Sequence, residues 1–155
     1  MGVRDNAQME TQLLAEWVTS LPRGWQNKTH VAVGKQVLQF QGKLLTPAQQ
    51  AAFSVWSDWA DMRIFTGAEV WLVEGKIVNR GGAYGQLYDY LGEYTQSADY
   101  VQFNGYPVVG VVVCAFERPQ TSARFANWGL RTIVHTPSWA GNSLATKLFS
   151  GATSG

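Results

Sequence analysis

The 155-residue chain is short of cysteine and of charge, and each shortage excludes a class of protein. Its single cysteine, Cys114, rules out an intramolecular disulfide, so the fold cannot be a disulfide scaffold. Cys114 lies in the apolar run Val108–Phe116 and is expected to be a buried core residue. Charged residues make up 15% of the sequence and hydrophobic residues 46%, a composition typical of a globular protein and not of a disordered one.

Long apolar runs are also missing. No apolar stretch approaches the roughly 20 residues that a membrane-spanning helix needs, and the first residues are polar, unlike a secretory signal. We therefore expect a soluble, cytoplasmic protein. The length is typical of one domain, residues 1–155, with a flexible Ser/Gly tail after residue 148. The net charge of +1 gives no global sign of nucleic-acid binding, so such contacts must come from a local patch.

Hydrophobic periodicity and turn residues predict an α/β fold. Helices are expected over residues 7–20, 47–59, 84–94 and 121–128, and strands over residues 29–33, 36–40, 61–65, 70–77, 108–116 and 130–136. Asp5 or Asn6 would cap the first helix and Thr46 the second, while Gly81 and Gly82 would form a turn. This order of elements favours a central mixed β-sheet flanked by helices.

The most informative segment places two acids and a lysine on adjacent strands. Side chains of alternate strand residues share a face, so Glu74 and Lys76 project to the same side of strand 70–77. Val70 and Leu72 precede them on that face and are apolar, so Glu74 and Lys76 place charges where apolar side chains are expected. If strands 61–65 and 70–77 form a hairpin, Asp61 lies near Glu74 and Lys76. Two carboxylates can then hold Mg²⁺ or Mn²⁺ beside an ammonium group.

These residues resemble the signature of the PD-(D/E)XK nuclease superfamily, in which an Asp precedes an acid-x-Lys triplet. Here Asp61 is followed about a dozen residues later by Glu74-Gly75-Lys76. Ala60 replaces the proline of the superfamily name, and Gly75 stands where a β-branched or polar residue is more usual. The predicted α-β-β-β-α-β order also resembles this superfamily, which implies a restriction-endonuclease-like core. The alternative interpretation is a solvated hairpin end with a surface ion pair of small energetic value.

The first helix has an acid in its apolar arc. At about 100° per residue, Glu10 falls near the centre of the arc that includes Leu13, Leu14 and Trp17, and Glu16 falls outside it. An ionised carboxylate in an apolar environment is costly and needs a partner. The resemblance makes Glu10 a third metal ligand, beside Asp61 and Glu74. The alternatives are a solvated Glu10 near the helix start, or a different helical phase in which Glu16 turns inward.

Gln86 and Tyr90 lie one turn apart on a single face of the helix 84–94. They resemble the Q-xxx-Y element of RecB-like nucleases, which makes Gln86 a catalytic residue that helps to orient the lysine or to bind substrate, and Tyr90 a substrate-binding residue. Amphipathic packing is the alternative interpretation. Arg80 is the cation expected to contact a phosphate. Other cations that could follow a DNA backbone are Arg23, Lys28, Lys35, Lys43, Arg63, Arg118, Arg124 and Arg131. The alternative interpretation is that most of them are ordinary solvated surface residues.

The resemblance implies a Mg²⁺- or Mn²⁺-dependent DNA endonuclease of the RecB-like or Holliday-junction-resolvase-like branch. Asp61, Glu74 and Glu10 would ligate the metal, and Lys76 would position or deprotonate the attacking water. We expect structure-specific or end-processing cleavage by a protein encoded by a bacteriophage or mobile element, acting alone, in a homo-oligomer or in a larger assembly. The sequence leaves open whether the substrate is DNA or RNA and whether cleavage is endo- or exonucleolytic.

The competing hypothesis is a structural virion or DNA-packaging protein on the same fold, with little or no turnover. The near-neutral charge and the seven tryptophans support it. Trp25, Trp56, Trp59 and Trp139 could stack on bases or line an interface, although core packing also accounts for them. His30 and His135 have no second His or Cys at metal-ligand spacing, which argues against a zinc site.

Overall fold

The computed structural model describes residues 3–34, 39–54 and 58–139. The fold is α/β, with a mixed five-stranded sheet flanked by helices, which confirms the predicted class and is compatible with a restriction-endonuclease-like core. The helices are α1 (Val3–Val18), α2 (Pro47–Ser54), α3 (Gly81–Tyr94) and α4 (Pro119–Ala126), with a 3-10 helix at Asp99–Phe103. The strands are β1 (Gln26–Ala32), β2 (Gln39–Phe40), β3 (Lys43–Leu44), β4 (Trp59–Phe65), β5 (Val70–Val78), β6 (Val108–Phe116) and β7 (Arg131–Val134).

The main sheet has the strand order β1-β4-β5-β6-β7. Strands β1, β4 and β5 pair antiparallel, and the β4-β5 hairpin forms as predicted. Strands β5, β6 and β7 pair parallel, so the connections β5-β6 and β6-β7 must both cross over the sheet. Helix α3 lies in the first connection and α4 in the second. The short strands β2 and β3 form a separate hairpin.

Two apolar layers cover the two faces of the sheet. On one face, α1 packs through Leu13, Leu14 and Trp17. On the other face, the buried side chains of α3 and α4 pack on the strands, and they are Ala83, Tyr84, Leu87, Tyr90, Tyr94 and Phe125. Strand β5 lies between these layers, so nearly every one of its side chains is withdrawn from solvent. Cys114 is buried in β6, as predicted.

Several predicted helix ends are wrong. Helix α1 begins at Val3, so Asp5 and Asn6 lie inside the helix and do not cap it. Their helix propensity is lower than that of alanine by only a few tenths of a kcal/mol, which is too little to end a helix. Thr46 does cap α2, because its Oγ1 accepts from the Gln49 N–H while its own N–H donates to Gln49 Oε1.

The second helix ends earlier than predicted, at Ser54, and Trp59 begins β4. Trp59 pairs with Ala32 across the sheet, and this tertiary pairing overrides the helical pattern. Gly81 and Gly82 open α3 and do not form a turn; the first turn of a helix tolerates them because it needs few intrahelical hydrogen bonds.

Strand β1 begins earlier than predicted, at Gln26, with a polar, exposed start that only its pairing with β4 reveals. Strand β3 and the 3-10 helix were not predicted. Most of the predicted strand 36–40 and the tail after residue 148 lie outside the described residues. In the described part of the chain, no helix combines the length and apolar character that crossing a membrane requires.

Candidate active site

The site lies where β4 and β5 separate. Their paired residues run from Phe65 and Val70 to Met62 and Val73. Beyond that pair, the Gly75 N–H donates to Asp61 Oδ2 at 3.0 Å. At this step of the ladder, a side-chain carboxylate of β4, and not a backbone carbonyl, accepts the hydrogen bond from β5. This contact holds Asp61 against the segment that contains Glu74 and Lys76.

Glu74 is the most unusual side chain of the site. It is 4% exposed, and its Oε1 is buried without a hydrogen-bond partner among the described residues. Burial raises the pKa of Glu74 to about 9, the negative charge of Asp61 and a hydrogen bond with it add to the rise, and Lys76 opposes it. Without a bound cation, the Glu74 carboxyl therefore holds a proton at neutral pH.

Glu10 reaches the same region from α1. Its Oε2 lies 3.9 Å from Lys76 Nζ. Burial raises the pKa of Glu10, the Lys76 ammonium opposes the rise, and the charge of Asp61 adds to it. Glu10 therefore faces Lys76 and Asp61, as its place in the apolar arc indicates. Its role as a metal ligand stays a prediction.

Glu16 points away from this region. It accepts hydrogen bonds from the Ser138 N–H at 2.9 Å and from Ser138 Oγ at 3.2 Å, and its Oε1 lies 3.3 Å from His135 Nε2. These contacts tie α1 to the segment that follows β7. The alternative helical phase, in which Glu16 would be the acid of the site, does not fit the structure.

Gln86 and Tyr90 approach from α3, on the opposite face of the sheet from α1. Gln86 Nε2 donates to the Tyr90 hydroxyl, so the two predicted partners do contact each other. Burial raises the pKa of Tyr90 to about 12; the Gln86 hydrogen bond opposes this rise, and the charges of Glu74, Asp58 and Asp61 add to it. The phenol therefore keeps its proton at neutral pH and remains a donor near the two carboxylates.

The glycine between Glu74 and Lys76 has a structural explanation. A Cβ atom at Gly75 would lie 2.7 Å from Leu14 Cγ of α1, closer than such atoms can approach. Glycine therefore lets α1 pack tightly on β5 at this point. Glu10 precedes Leu14 by one helical turn on the same helix face, so this close approach also brings Glu10 to Lys76.

Asp61 and Glu74 suit a hard divalent cation, because both present carboxylate oxygens and Glu74 Oε1 has no other partner. The third predicted ligand, Glu10, faces Lys76. Across residues 3–34, 39–54 and 58–139, no group of three or more His, Cys, Asp or Glu side chains is arranged to hold a metal ion. The site is therefore a two-carboxylate arrangement with a nearby third acid.

No protein-family model, no curated protein and no solved structure matches this chain. What the site can do therefore rests on its own residues.

The other predicted cations are placed in different ways. Arg80 is exposed at the amino-terminal cap of α3, just beyond the strand with Glu74 and Lys76. Arg63 is 5% exposed and bonds Asp99 through two nitrogens, so its prediction as a DNA-contacting residue is wrong. Arg131 donates to both oxygens of Glu69. Lys35 lies outside the described residues.

The tryptophans also differ. Trp25 and Trp139 pack against the apolar layer on the α1 face, which agrees with core packing. Trp59 instead stacks on the exposed ring of His30. Trp56 lies outside the described residues. His30 was not among the predicted site residues, and no pattern in the sequence marks it.

The partnership between Arg63 and Asp99 was also missed. The alternation of side chains along β4 could have predicted a buried Arg63, because it places this residue opposite the buried Leu72 of β5. An arginine at such an inward position needs an anionic partner.

Proposed function

We propose that this chain is a Mg²⁺- or Mn²⁺-dependent deoxyribonuclease that hydrolyses phosphodiester bonds in DNA. The observation that supports this most strongly is the buried, unpartnered Oε1 of Glu74 beside the Asp61 carboxylate. An unsatisfied buried polar group costs about 1–3 kcal/mol, and in the free protein Glu74 keeps a proton beside the Asp61 charge. A hard cation held between Asp61 and Glu74 would replace that proton and give the buried oxygen a partner.

Asp61 and Glu74 are the proposed metal ligands, and Glu10, whose carboxylate faces Lys76, is the proposed third acid beside them. When bound, the metal would lower the pKa of a bound water and stabilise negative charge on the scissile phosphate. Glu74 must lose its proton before it can bind a cation, because its pKa is raised to about 9 in the free protein. Metal binding should therefore strengthen as the pH rises.

Lys76 is the proposed electrostatic and positioning group. It projects from the same face of β5 as Glu74, and its ammonium lies beside the Glu10 carboxylate. There it can donate to a phosphate oxygen or to the attacking water. The reaction joins the oxygen of water to phosphorus and breaks one bond from phosphorus to a sugar oxygen, which leaves a phosphate on one DNA end and a hydroxyl on the other.

Tyr90 supports this chemistry from the α3 side. Because Tyr90 is buried, we assign it to positioning Glu74 and not to direct contact with DNA. Gln86 donates to the Tyr90 oxygen, which leaves the phenol proton free to point towards the carboxylates. Gln86 and Arg80 are exposed and remain the proposed contacts for substrate.

The test is incubation with linear, circular and branched DNA in the presence of Mg²⁺, Mn²⁺ or EDTA. We expect cleavage with either metal and none with EDTA, and cleavage of the circle would show endonucleolytic action. Absence of cleavage on all three substrates with both metals would contradict the nuclease and favour the structural virion or DNA-packaging hypothesis.

Two acids on one helix give a matched pair of variants for Glu10. Glu10→Gln removes a carboxylate that faces Lys76 and Asp61, whereas Glu16→Gln removes one that bonds Ser138. Metal-dependent cleavage should fall much further in Glu10→Gln than in Glu16→Gln. If the two variants lose the same activity, Glu10 has no role in the site.

A further inference from the structure

A cleft opens beside the proposed metal ligands, between α1 and the strands β1 and β4. Its volume is about 480 Å³, and both Glu10 and Asp61 line it. Pockets for small ligands span about 300–1,000 Å³, so one nucleotide can fit. The α1 wall is mostly apolar, with Leu14 and Val18, while Asn27 and Thr29 of β1 offer polar groups on the opposite wall.

His30 lies at this cleft in a strained conformation. Its φ is 54°, in the left-handed region that non-glycine residues rarely adopt. The β1-β4 pairs Thr29 with Met62 and Val31 with Ala60 lie on either side of it. Such strain persists where the surrounding structure enforces it, and it is concentrated at binding sites.

The imidazole of His30 stacks flat on the indole of Trp59. The ring centroids are 4.3 Å apart, and the planes differ by 6°. His30 is exposed and also lines the cleft, so a planar group bound in the cleft can reach its imidazole. An exposed imidazole stacked on an indole, beside carboxylates proposed to hold a metal, suits a nucleobase, since each base has a π-face and stacking tolerates any sequence.

We propose that this cleft binds an unpaired nucleotide of the DNA substrate, next to the scissile phosphate, with its base stacked on His30. The proposal rests on the proposed nuclease function and narrows its substrate class. A base within an intact duplex has both faces covered and cannot enter the cleft without leaving the stack. The preferred substrates are therefore single strands, overhangs, gaps and branch points, and not uninterrupted duplex.

Binding is measured in the Glu74→Gln background with Mg²⁺, by fluorescence anisotropy of a labelled oligonucleotide as single strand and as blunt duplex. We expect tighter binding of the single strand. Adding His30→Ala should weaken single-strand binding at least about fivefold, the lower end of the effect of losing one stacked base. His30→Phe keeps an aromatic face and should bind within about twofold of the parent.

Tyr88→Ala is the matched control, because Tyr88 is another exposed aromatic in a two-ring contact, with Trp128, and lies on α3, which packs on the opposite face of the sheet from α1. It should bind both probes like the parent. His30→Gly separates stacking from folding, because glycine accepts a positive φ without strain. It should be at least as stable as the parent and should bind as weakly as His30→Ala. Equal binding by His30→Ala and its parent, or equal losses on both probes, would overturn the proposal.

The cleavage assay separates failure of this proposal from failure of the nuclease function. Cleavage of blunt duplex with none of gapped or single-stranded DNA would overturn the cleft proposal and leave the nuclease intact. Conversely, His30-dependent binding of single strands without any cleavage by the wild type would support the cleft and contradict the nuclease.

Discussion

Glu74 and Asp99 both have carboxylates that are withdrawn from solvent, and their surroundings differ. The Asp99 side chain is 7% exposed, and Arg63 bonds it through Nε at 2.9 Å and Nη2 at 3.1 Å. The Tyr94 hydroxyl donates to the same carboxylate. Burial alone would raise the pKa of Asp99, but the hydrogen bonds from Arg63 and Tyr94 and the charge of Arg63 lower it.

Glu74 is buried to a similar degree but has one oxygen without a partner and a second acid beside it. Its pKa is shifted upward, whereas that of Asp99 is shifted downward. Burial is common to both residues, so the partners make the difference. A buried acid that is fully hydrogen-bonded and paired with a cation stabilises the folded protein. A buried acid that lacks a cationic partner is a candidate ligand-binding residue.

The largest effect on stability should come from breaking the salt bridge between Arg63 and Asp99. Asp99→Asn leaves the buried Arg63 guanidinium without a counter-charge and should lower the free energy of unfolding by about 3–5 kcal/mol. Urea denaturation followed by circular dichroism measures it. Lys28→Met is the control, because Lys28 is 60% exposed and 3.9 Å from Asp99, and an exposed pair contributes less than about 1 kcal/mol. A similar small loss in both variants would refute the structural role of Asp99.

Glu74→Gln should impair cleavage and leave stability intact, whereas Asp99→Asn should lower stability. It should lower Mg²⁺-dependent cleavage by at least about 100-fold, the size of effect seen when one charge-stabilising group is removed from an active site. Its free energy of unfolding at pH 8 should equal or exceed that of the wild type, because glutamine is neutral in both states and the variant takes up no proton at this position on folding. A variant that unfolds, or that cuts DNA at the wild-type rate, would contradict the assignment.

The stability of the metal-free wild type should fall as the pH rises from about 5 to 9. Folded Glu74 keeps its proton up to about pH 9, whereas the unfolded chain loses it near the ordinary value of 4.5. The contribution of Glu74 to the free energy of unfolding is therefore fully present below pH 4.5 and is lost as the pH rises to about 9. The loss is at most about 1.4 kcal/mol per pH unit, the value for a single proton. Glu10 shifts in the same direction and adds to the slope.

Denaturation curves at several pH values measure this slope. Glu74→Gln should flatten it, and Mg²⁺ should stabilise the wild type more at pH 8 than at pH 6, because the metal competes with the proton. A slope that is unchanged in Glu74→Gln would show that Glu74 titrates normally.

The smallest effect concerns Gly75. Gly75→Ala places a methyl group against Leu14 and should cost about 1–3 kcal/mol, as overpacking does. The same substitution made in a Leu14→Ala background should cost less, because the space is then open. Thermal denaturation of the four proteins gives the coupling, and additive effects would mean that α1 and β5 are not in close contact at this position.

The sequence predicted those parts of the site that depend on a regular period. Alternation along β5 placed Glu74 and Lys76 on one face, and the helical period of α1 placed Glu10 towards them. The salt bridge between Arg63 and Asp99 joins residues 36 positions apart through an unpredicted 3-10 helix, so local patterns do not identify the partner. The left-handed backbone of His30 follows from its place in the ladder and not from its residue type.

The bond between the Gly75 amide and Asp61 also gives the protein a spectroscopic reporter. An amide proton that donates to a carboxylate changes its chemical shift when that carboxylate gains a proton or a cation, and its exchange with solvent slows or quickens with the same event. The resonance of this one backbone group therefore reports the charge state of the site directly. Titration of the protein with Mg²⁺ while this signal is followed would measure metal affinity without DNA and without turnover.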